Sequence, residues 1–214
     1  LDEESGIKAP EKEYQKWYKL FQEEKYGEVL NNIDNLINQY SGDEIISKFE
    51  LLKANTLGKA KGLVAYKKAI ENVADNYPNS EEGKKAQEIL TSQIPFLEKR
   101  VFTTVDNKNW KILYKIGIQD EKARKTIEDI IKKFLVDENF QKLTYSFDKY
   151  DLDSGFVTIH GIKSEIYAND VAKVLKENKK YNLVAYPAVI ISSDNYSIVQ
   201  INKNLEAYLA PKTP

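Results

Sequence analysis

The chain has 214 residues, enough for one large domain or two small ones, and its 32 basic and 33 acidic residues almost cancel. A net charge of −1 sets up no long-range field for phosphates or an anionic bilayer. Arg100 and Arg124 are the only arginines, so no nucleic-acid partner is expected. Because the chain has no cysteine, disulfides, thiolate metal sites and cysteine nucleophiles are excluded.

The sequence pattern contains no membrane-spanning or targeting segment. No run of apolar residues is long enough to cross a bilayer, and the start LDEESGIKAPEKEYQK lacks the basic and apolar regions of a signal peptide. The chain also contains no methionine. We therefore expect it to be a mature fragment or the C-terminal part of a longer protein.

The first half of the chain, Tyr14–Leu97, carries apolar side chains at helical spacing. Two amphipathic helices are predicted first, and the short link EEKYG between them favours an antiparallel αα-hairpin. A third helix is predicted to begin near Ile45. Gly58 and Gly62 are predicted to break the pattern before a fourth helix.

The second and fourth predicted helices match each other. Ile33 aligns with Ile70 and Tyr40 with Tyr77, a spacing close to that of tetratricopeptide repeats. The link YPNSEEGKKAQEIL is predicted to open a fifth helix with Asn79 as its N-cap. Such links resemble those of bacterial tetratricopeptide proteins. A helical-hairpin array without a true repeat is the alternative.

In the second half the period of the apolar pattern changes to two. Pro95 is predicted to end the helical half, and WKILYKIG, KLTYSFDKY and FVTIHGIK are predicted strands. A helix with Ala123 and Phe134 on its apolar side follows the first strand, and another starts near Ser164. AVIISS is predicted to be a fourth strand, joined by a DN turn to an extra C-terminal strand, YSIVQI. A short tail helix, NLEAYL, follows.

This order of elements predicts the fold class. Strand and helix alternate as βαββαβ with one extra C-terminal strand, which favours a ferredoxin-like α+β sandwich. The predicted organisation is an all-α, tetratricopeptide-like helical region in residues 1–100, followed by a ferredoxin-like α+β domain in residues 101–214. The sheet is predicted to be antiparallel, with two helices on one face.

The stretch GFVTIHGIKS contains His160, the only histidine of the chain. A catalytic dyad with cysteine or a second histidine, and a metal site with several histidines, are therefore impossible. A Ser-His-Asp triad stays open, but no GxSxG elbow accompanies the histidine. We expect no enzymatic activity, no cofactor and no bound metal.

Two other motifs in this region match their templates only in part. SGFVTIHG resembles the RNA-recognition signature, but Leu152 and Asp153 stand where a basic residue and a glycine belong. DLDSG fails as a calcium loop because Gly155 and Ile162 stand at ligand positions. We interpret DLDSG as a turn.

The alternation of side chains divides the predicted sheet into two faces. Trp110, Ile112, Tyr114 and Ile116 are predicted to face the helices together with Val157 and Ile159. The opposite face is predicted to be open, as a binding platform or as the surface on which the helical half packs. The residues predicted to form this face are Lys111, Leu113, Lys115, Phe156, Thr158 and His160.

The block FVTIHGIKSEIYANDVAKVLKENKKYNLVAYPAVIISSDNYSIVQINKNLEAYL follows the predicted hairpins, and its part from AVIISS onward is the most distinctive. Over residues 107–210 the chain resembles the C-terminal region of PorW/SprE-type tetratricopeptide lipoproteins of Bacteroidota. The resemblance implies a non-catalytic scaffold or adaptor of the type IX secretion and gliding-motility machinery. Its partners would be envelope proteins, and it would face the periplasm at the outer membrane. A lipid-bearing cysteine upstream of Leu1 would be its membrane anchor.

A weaker resemblance is to SPOR domains, ferredoxin-like modules that bind peptidoglycan glycan strands on an open sheet face. FVTIHGIKSEIYANDVAKVLKEN is similar to their second half, whereas WKILYKIGIQDEKARKTIEDI lacks their usual glutamine-and-glycine strand. This resemblance implies an alternative function, which is glycan binding through the open sheet face.

Overall fold

A computed structural model describes residues 8–105 and 108–211. It contains helices in the first half and one four-stranded antiparallel sheet with helices in the second, which confirms the prediction of an α+β chain. The chain divides into two compact units. One extends to Arg100 and includes Ile201–Lys203, and the other comprises Val101–Gln200 and the residues from Asn204 onward. No helix in the described ranges is both long and apolar enough to span a membrane.

The first unit is built from helices that follow one another closely. They are α1 (Ala9–Gln22), α2 (Tyr26–Gln39), α3 (Ile46–Lys61), α4 (Leu63–Asn76), α5 (Glu81–Glu88) and α6 (Ile94–Glu98), with a π-helical turn at Ile89–Gln93. From α1 to α5, each helix packs against the next in the chain. This follows from their amphipathic patterns, since an apolar stripe at helical spacing must be covered by a neighbour.

Two clusters of buried side chains hold the first unit together. The first lies between α1, α2 and α3 and contains Phe49, which is fully buried, with Trp17 at its edge. The second lies between α3, α4 and α5 around Ile70. Small side chains such as Ala54 and Ala86 belong to this second cluster, and they let the helices approach closely.

The link between α3 and α4 differs from the prediction. Gly58 does not break the pattern, because it lies inside α3, which continues to Lys61. The helix ends at Gly62, whose backbone has φ +94° and ψ −173°, a region almost closed to residues with a Cβ. One glycine therefore makes the turn, and α4 begins at the next residue.

Two further predictions in the first unit are wrong in detail. Ser80 caps α5, one residue later than Asn79, because its hydroxyl accepts the N–H of Gly83 at 2.9 Å. Pro95 does not end the helical part of the chain. It lies in the first turn of α6, directly after the π-helical turn Ile89–Gln93, so the helical path continues past the proline to Glu98.

The second unit contains the sheet. Its elements are β1 (Trp110–Gly117), α7 (Glu121–Asp137), β2 (Thr144–Lys149), β3 (Ser154–Ile162), α8 (Glu165–Glu177), β4 (Ala188–Ser192), α9 (Ser193–Asn202, which belongs to this unit as far as Gln200) and α10 (Leu205–Leu209). The strand order is β2-β3-β1-β4, and all neighbouring strands are antiparallel. Helices α7 and α8 start at capping side chains: Asp120 accepts the N–H of Ala123, and Ser164 accepts the N–H of Tyr167.

The first face of the sheet packs on α7 and α8, as the alternation of side chains predicts. Ile112 and Tyr114 of β1 and Val157 of β3 belong to a core cluster that also contains Ile127 of α7 and Val171 of α8. The remaining strand residues predicted for this face belong to the same cluster: Trp110, Ile116 and Ile159. The prediction of the helix-facing side is confirmed.

The predicted extra C-terminal strand is wrong. YSIVQI lies in α9, directly after β4, and the predicted DN turn forms the first turn of that helix. In the helix, Tyr196 and Val199 lie on one side and pack against the second face of the sheet. A fifth strand beside β4 would leave Leu113 and Phe156 on that face without cover, so burial of apolar surface favours the helix.

Tyr114 and Tyr150 provide a matched test of this packing. The Tyr114 hydroxyl is buried and has no hydrogen-bond partner within the part of the chain that the structure describes. The Tyr150 hydroxyl accepts the buried N–H of Leu205 at 3.1 Å. We expect Tyr150→Phe to lower the free energy of unfolding by about 1–2 kcal/mol, because it leaves a buried donor unpaired, and Tyr114→Phe not to lower it.

Urea unfolding followed by the fluorescence of Trp110, in a Trp17→Phe background, measures both variants on the second unit. An equal loss of stability in Tyr114→Phe and Tyr150→Phe would contradict the assignment of Tyr114 as a residue without a hydrogen-bond partner.

Candidate functional site

The predicted site residues lie on the second face of the sheet, and a β-bulge arranges two of them. Trp110 pairs with Ile162 and Ile112 with Ile159, so one residue of β1 stands opposite two of β3. A bulge of this kind redirects a side chain. The bulge requires glycine at position 161. Its backbone has φ +87°, and a Cβ there would lie only 2.7 Å from the Lys142 carbonyl oxygen.

The bulge brings Lys111 and His160 together at one end of a chain of hydrogen bonds. Lys111 Nζ lies 2.9 Å from His160 Nδ1, and His160 Nε2 lies 2.6 Å from Ser146 Oγ. Ser146 Oγ donates to Asp148 Oδ1 at 2.7 Å, and the Tyr196 hydroxyl donates to Asp148 Oδ2 at 2.6 Å. Gln200 Nε2 donates to the Tyr196 hydroxyl at 2.9 Å. We call this group the His160 network: Lys111, Ser146, Asp148, His160, Tyr196 and Gln200.

The direction of each proton in the network follows from its ends. The Asp148 carboxylate only accepts, so the Ser146 hydroxyl uses its single proton on Asp148. His160 Nε2 must then donate to Ser146 Oγ, and Nδ1 must accept from the ammonium group of Lys111. The network is complete only when His160 is neutral.

Burial supports the neutral state of His160. Burial, followed by the nearby charge of Lys111, lowers the pKa of His160 below its usual 6.5. Burial also lowers the pKa of Lys111 below 10.5, against the attraction of Asp148. Burial and the hydrogen bond to Asp148 raise the pKa of the Tyr196 hydroxyl. A neutral imidazole is therefore favoured near neutral pH, and the attraction of Asp148 favours the ammonium form of Lys111.

The order of these groups matters for chemistry. In a Ser-His-Asp triad the histidine takes the proton of the serine and the carboxylate holds the histidine. In the His160 network Ser146 lies between the carboxylate and the histidine, and it donates to Asp148. Ser146 is not activated as a nucleophile in this geometry. The network instead connects β1, β2, β3 and α9.

Of the four other predicted site residues, three are buried rather than exposed. Leu113, Phe156 and Thr158 are fully buried, because α9 and α10 cover the centre of the second sheet face. Lys115 is exposed, and its Nζ lies 5.4 Å from the ring centre of Tyr150. The prediction of an open sheet face is wrong for the centre of the face, since apolar side chains there require cover.

Sequence reasoning missed the partners that complete the network. Ser146 and Asp148 lie two residues apart on β2, and Tyr145 and Phe147 between and beside them pack on the opposite face. The alternation in TYSFDK placed both polar groups on one face and could have indicated them. Tyr196 and Gln200 gave no such signal while their segment was predicted to be a strand.

Further hydrogen bonds tie α9 and α10 to both edge strands. Gln200 Nε2 also donates to the Lys149 carbonyl of β2 at 3.2 Å, and the Tyr208 hydroxyl donates to the Ile190 carbonyl of β4 at 2.8 Å. The Asn195 side chain accepts the N–H of Thr103 and donates to its carbonyl, both at 2.9 Å. The two helices are thus held at both edges as well as over the centre.

A separate groove lies in the first unit. It runs along the N-terminal ends of α1, α3 and α5 and has a volume of about 1010 Å³. Lys48 Nζ pairs with Glu11 Oε2 at 2.9 Å, and the Ser47 hydroxyl donates to Glu82 Oε2 at 2.8 Å, so these bonds join neighbouring helix ends. Tyr77 lines the groove from the link before α5.

Among the described residues that line it, the groove has an excess of acidic side chains. Lys8 and Lys48 are the lysines of this described lining. Carboxylates near helix N-termini are favoured by the helix dipole, which accounts for part of this acidity. The lining carboxylates are those of Glu11, Asp43, Glu44, Glu81 and Glu82.

Comparison with known proteins assigns no function to either site. No protein-family model matches the chain, and no curated protein matches it significantly. Within residues 8–105 and 108–211, no three side chains of His, Cys, Asp or Glu come together as a metal site would require.

The Asp148 carboxylate is the centre of the His160 network, and its replacement tests the network. In Asp148→Asn one of the two hydroxyls that donate to the carboxylate would face an amide N–H instead. We expect a loss of about 1–3 kcal/mol in the free energy of unfolding. The matched control is Asp153→Asn in the exposed turn after β2, which we expect to change stability by less than about 0.5 kcal/mol.

Urea unfolding of the two variants at neutral pH measures the difference. Equal stabilities for Asp148→Asn and Asp153→Asn would mean that the carboxylate does not hold the two hydroxyls as described.

Proposed function

We propose that this chain is a non-catalytic scaffold or adaptor of the bacterial cell envelope. Its first unit is a tetratricopeptide-like helical array that binds a protein partner, and its second is a ferredoxin-like domain. We assign it to a type IX secretion and gliding-motility machinery, at the periplasmic side of the outer membrane, anchored by a lipid attached upstream. The groove along the starts of α1, α3 and α5 is the observation that carries this proposal.

The groove supports a protein partner for two reasons. Its volume of about 1010 Å³ and its length across three helix ends suit an extended peptide or a protruding loop. Its walls come from successive helices, and stacked helical repeats offer extended binding surfaces of this kind. The acidic lining favours a basic surface on the partner.

The proposed fold names are supported by the order and packing of the elements. In the first unit successive helices pack on one another, and Ile33 and Ile70 occupy matching buried positions of α2 and α4. In the second unit the βαββαβ order with α7 and α8 on one face fits a ferredoxin-like sandwich. Helices α9 and α10 are then an addition on the other face.

The His160 network supports a non-catalytic role. Ser146 donates to Asp148, so the imidazole does not take its proton.

Leu113 and Phe156 at the centre of the second sheet face are fully buried under α9 and α10, and this cover removes the open surface that glycan binding would require. This burial weighs against the glycan-binding alternative, which needs an open sheet face.

Reversal of charge in the groove tests the proposal. Glu44 and Glu81 are exposed on its wall, one before α3 and one in the first turn of α5. We expect the double variant Glu44→Lys, Glu81→Lys to recover at least about tenfold less partner than the unchanged chain, because it places cations against a basic surface. The measurement is affinity purification from cross-linked envelopes of a Bacteroidota strain, with quantitative mass spectrometry.

The control is the double variant Glu28→Lys, Glu71→Lys. It changes the charge equally on exposed helix positions outside the groove, and Glu28 lies in a first helical turn like Glu81. We expect it to recover the partner normally. Recovery of no secretion or motility protein by the unchanged chain would overturn the function. Equal recovery by both double variants would overturn the role of the groove.

A further inference from the structure

We propose that the His160 network is an acid-sensitive latch, which holds α9 on the sheet while His160 is neutral and loosens when the imidazole is protonated. The latch joins the three strands β1, β2 and β3 to α9 through Lys111, Asp148 and Tyr196. It is a property of the second unit and does not depend on the proposed function of the groove.

The hydrogen-bond geometry does not accommodate a proton on His160 Nδ1 in addition to the one on Nε2. Nδ1 accepts from Lys111 Nζ at 2.9 Å, and Nε2 donates to Ser146 Oγ. A protonated imidazole would present an N–H to the ammonium group of Lys111, so two cations and two donors would meet at hydrogen-bond distance. One of the two groups must then move away or lose a proton.

The charged groups near His160 come from the two neighbouring strands. Lys111 of β1 lies against Nδ1, and Ser146 of β2 connects Nε2 to the Asp148 carboxylate. From α9, Tyr196 contacts Lys111 and Asp148. The Asp148 carboxylate attracts a protonated imidazole, but its two oxygens already accept from Ser146 and Tyr196. The repulsion from Lys111 is therefore direct, whereas the attraction of Asp148 acts through Ser146.

Displacement of Lys111 reaches α9 through Tyr196. Lys111 Nζ lies 5.7 Å from the centre of the Tyr196 ring, on which the ammonium group forms a cation–π contact. The same tyrosine donates to Asp148, and Gln200 one turn later donates both to it and to the Lys149 carbonyl. Movement at Lys111 thus disturbs the polar attachment of α9 while the apolar contacts beneath remain.

The sign of the pH dependence follows from linkage. Burial and Lys111 lower the pKa of His160 in the closed state, whereas the imidazole of the opened state has its ordinary pKa of 6.5. The opened state therefore binds the proton more tightly. The stability that the latch contributes is present above pH 6.5 and is lost as pH falls through and below that value. With an opened-state pKa of about 6.5, the opening equilibrium can rise by at most about tenfold between about pH 7.5 and about pH 5.5.

Two measurements on the full chain test the latch. The single histidine gives one imidazole signal, and its NMR titration should have a midpoint below 6.5. Hydrogen exchange of α9, corrected for the intrinsic effect of pH, should show an opening equilibrium that rises by several-fold, up to about tenfold, as pH falls from about 7.5 to about 5.5. In His160→Gln, which keeps an acceptor and a donor but no titration, this rise should disappear.

Lys111 and Lys115 supply a matched pair of variants on one strand and one sheet face. Lys111→Met should raise the pKa of His160 and reduce the rise in exchange, whereas Lys115→Met, whose cation lies over Tyr150, should change neither. A midpoint at or above 6.5 in the unchanged chain would overturn the latch. So would exchange of α9 that is independent of pH, or an equal pH dependence in His160→Gln. The NMR titration needs no variant, so the test survives if a variant fails to fold.

Discussion

Burial of the second sheet face is the constraint on which the second unit depends. Leu113 and Phe156 on adjacent strands are fully buried, and the side chains above them come from α9 and α10. A sheet with helices on one face alone would leave these apolar groups in water. The C-terminal helices therefore complete the core, and their hydrogen bonds to the Lys149 and Ile190 carbonyls fix them at the two edge strands.

The same cover creates the environment of the His160 network. Most polar groups of the network are half-buried at the edge of an apolar cluster and partly shielded from water, so hydrogen bonds within the protein replace part of their hydration. The chain of bonds from Lys111 to Asp148 meets this requirement with one arrangement of protons, which makes the attachment of α9 dependent on the state of a single imidazole. Stability and sensitivity to acid thus have one structural origin.

The first unit meets the demand for burial in a different way. No single helix can cover its own apolar stripe, so helices pack in sequence around Phe49 and then around Ile70. Successive packing aligns the starts of α1, α3 and α5 and opens the groove between them. The surface proposed for partner binding is therefore a direct result of how the helices bury their apolar faces.

Periodicity in the sequence by itself determined the first five helices, the four strands, α7 and α8, and the side of the sheet that α7 and α8 cover. These features depend on which residues are buried, and the spacing of apolar residues along the chain indicates which residues those are. Periodicity did not determine α9, because the apolar residues of YSIVQI have a spacing compatible with a strand and with a helix. Only the need to cover Leu113 and Phe156 selects the helix. Nor did periodicity determine the partners of His160. Those depend on the bulge at Gly161 and on the pairing of β2 with β3, so residues distant in the chain meet only once the sheet has formed.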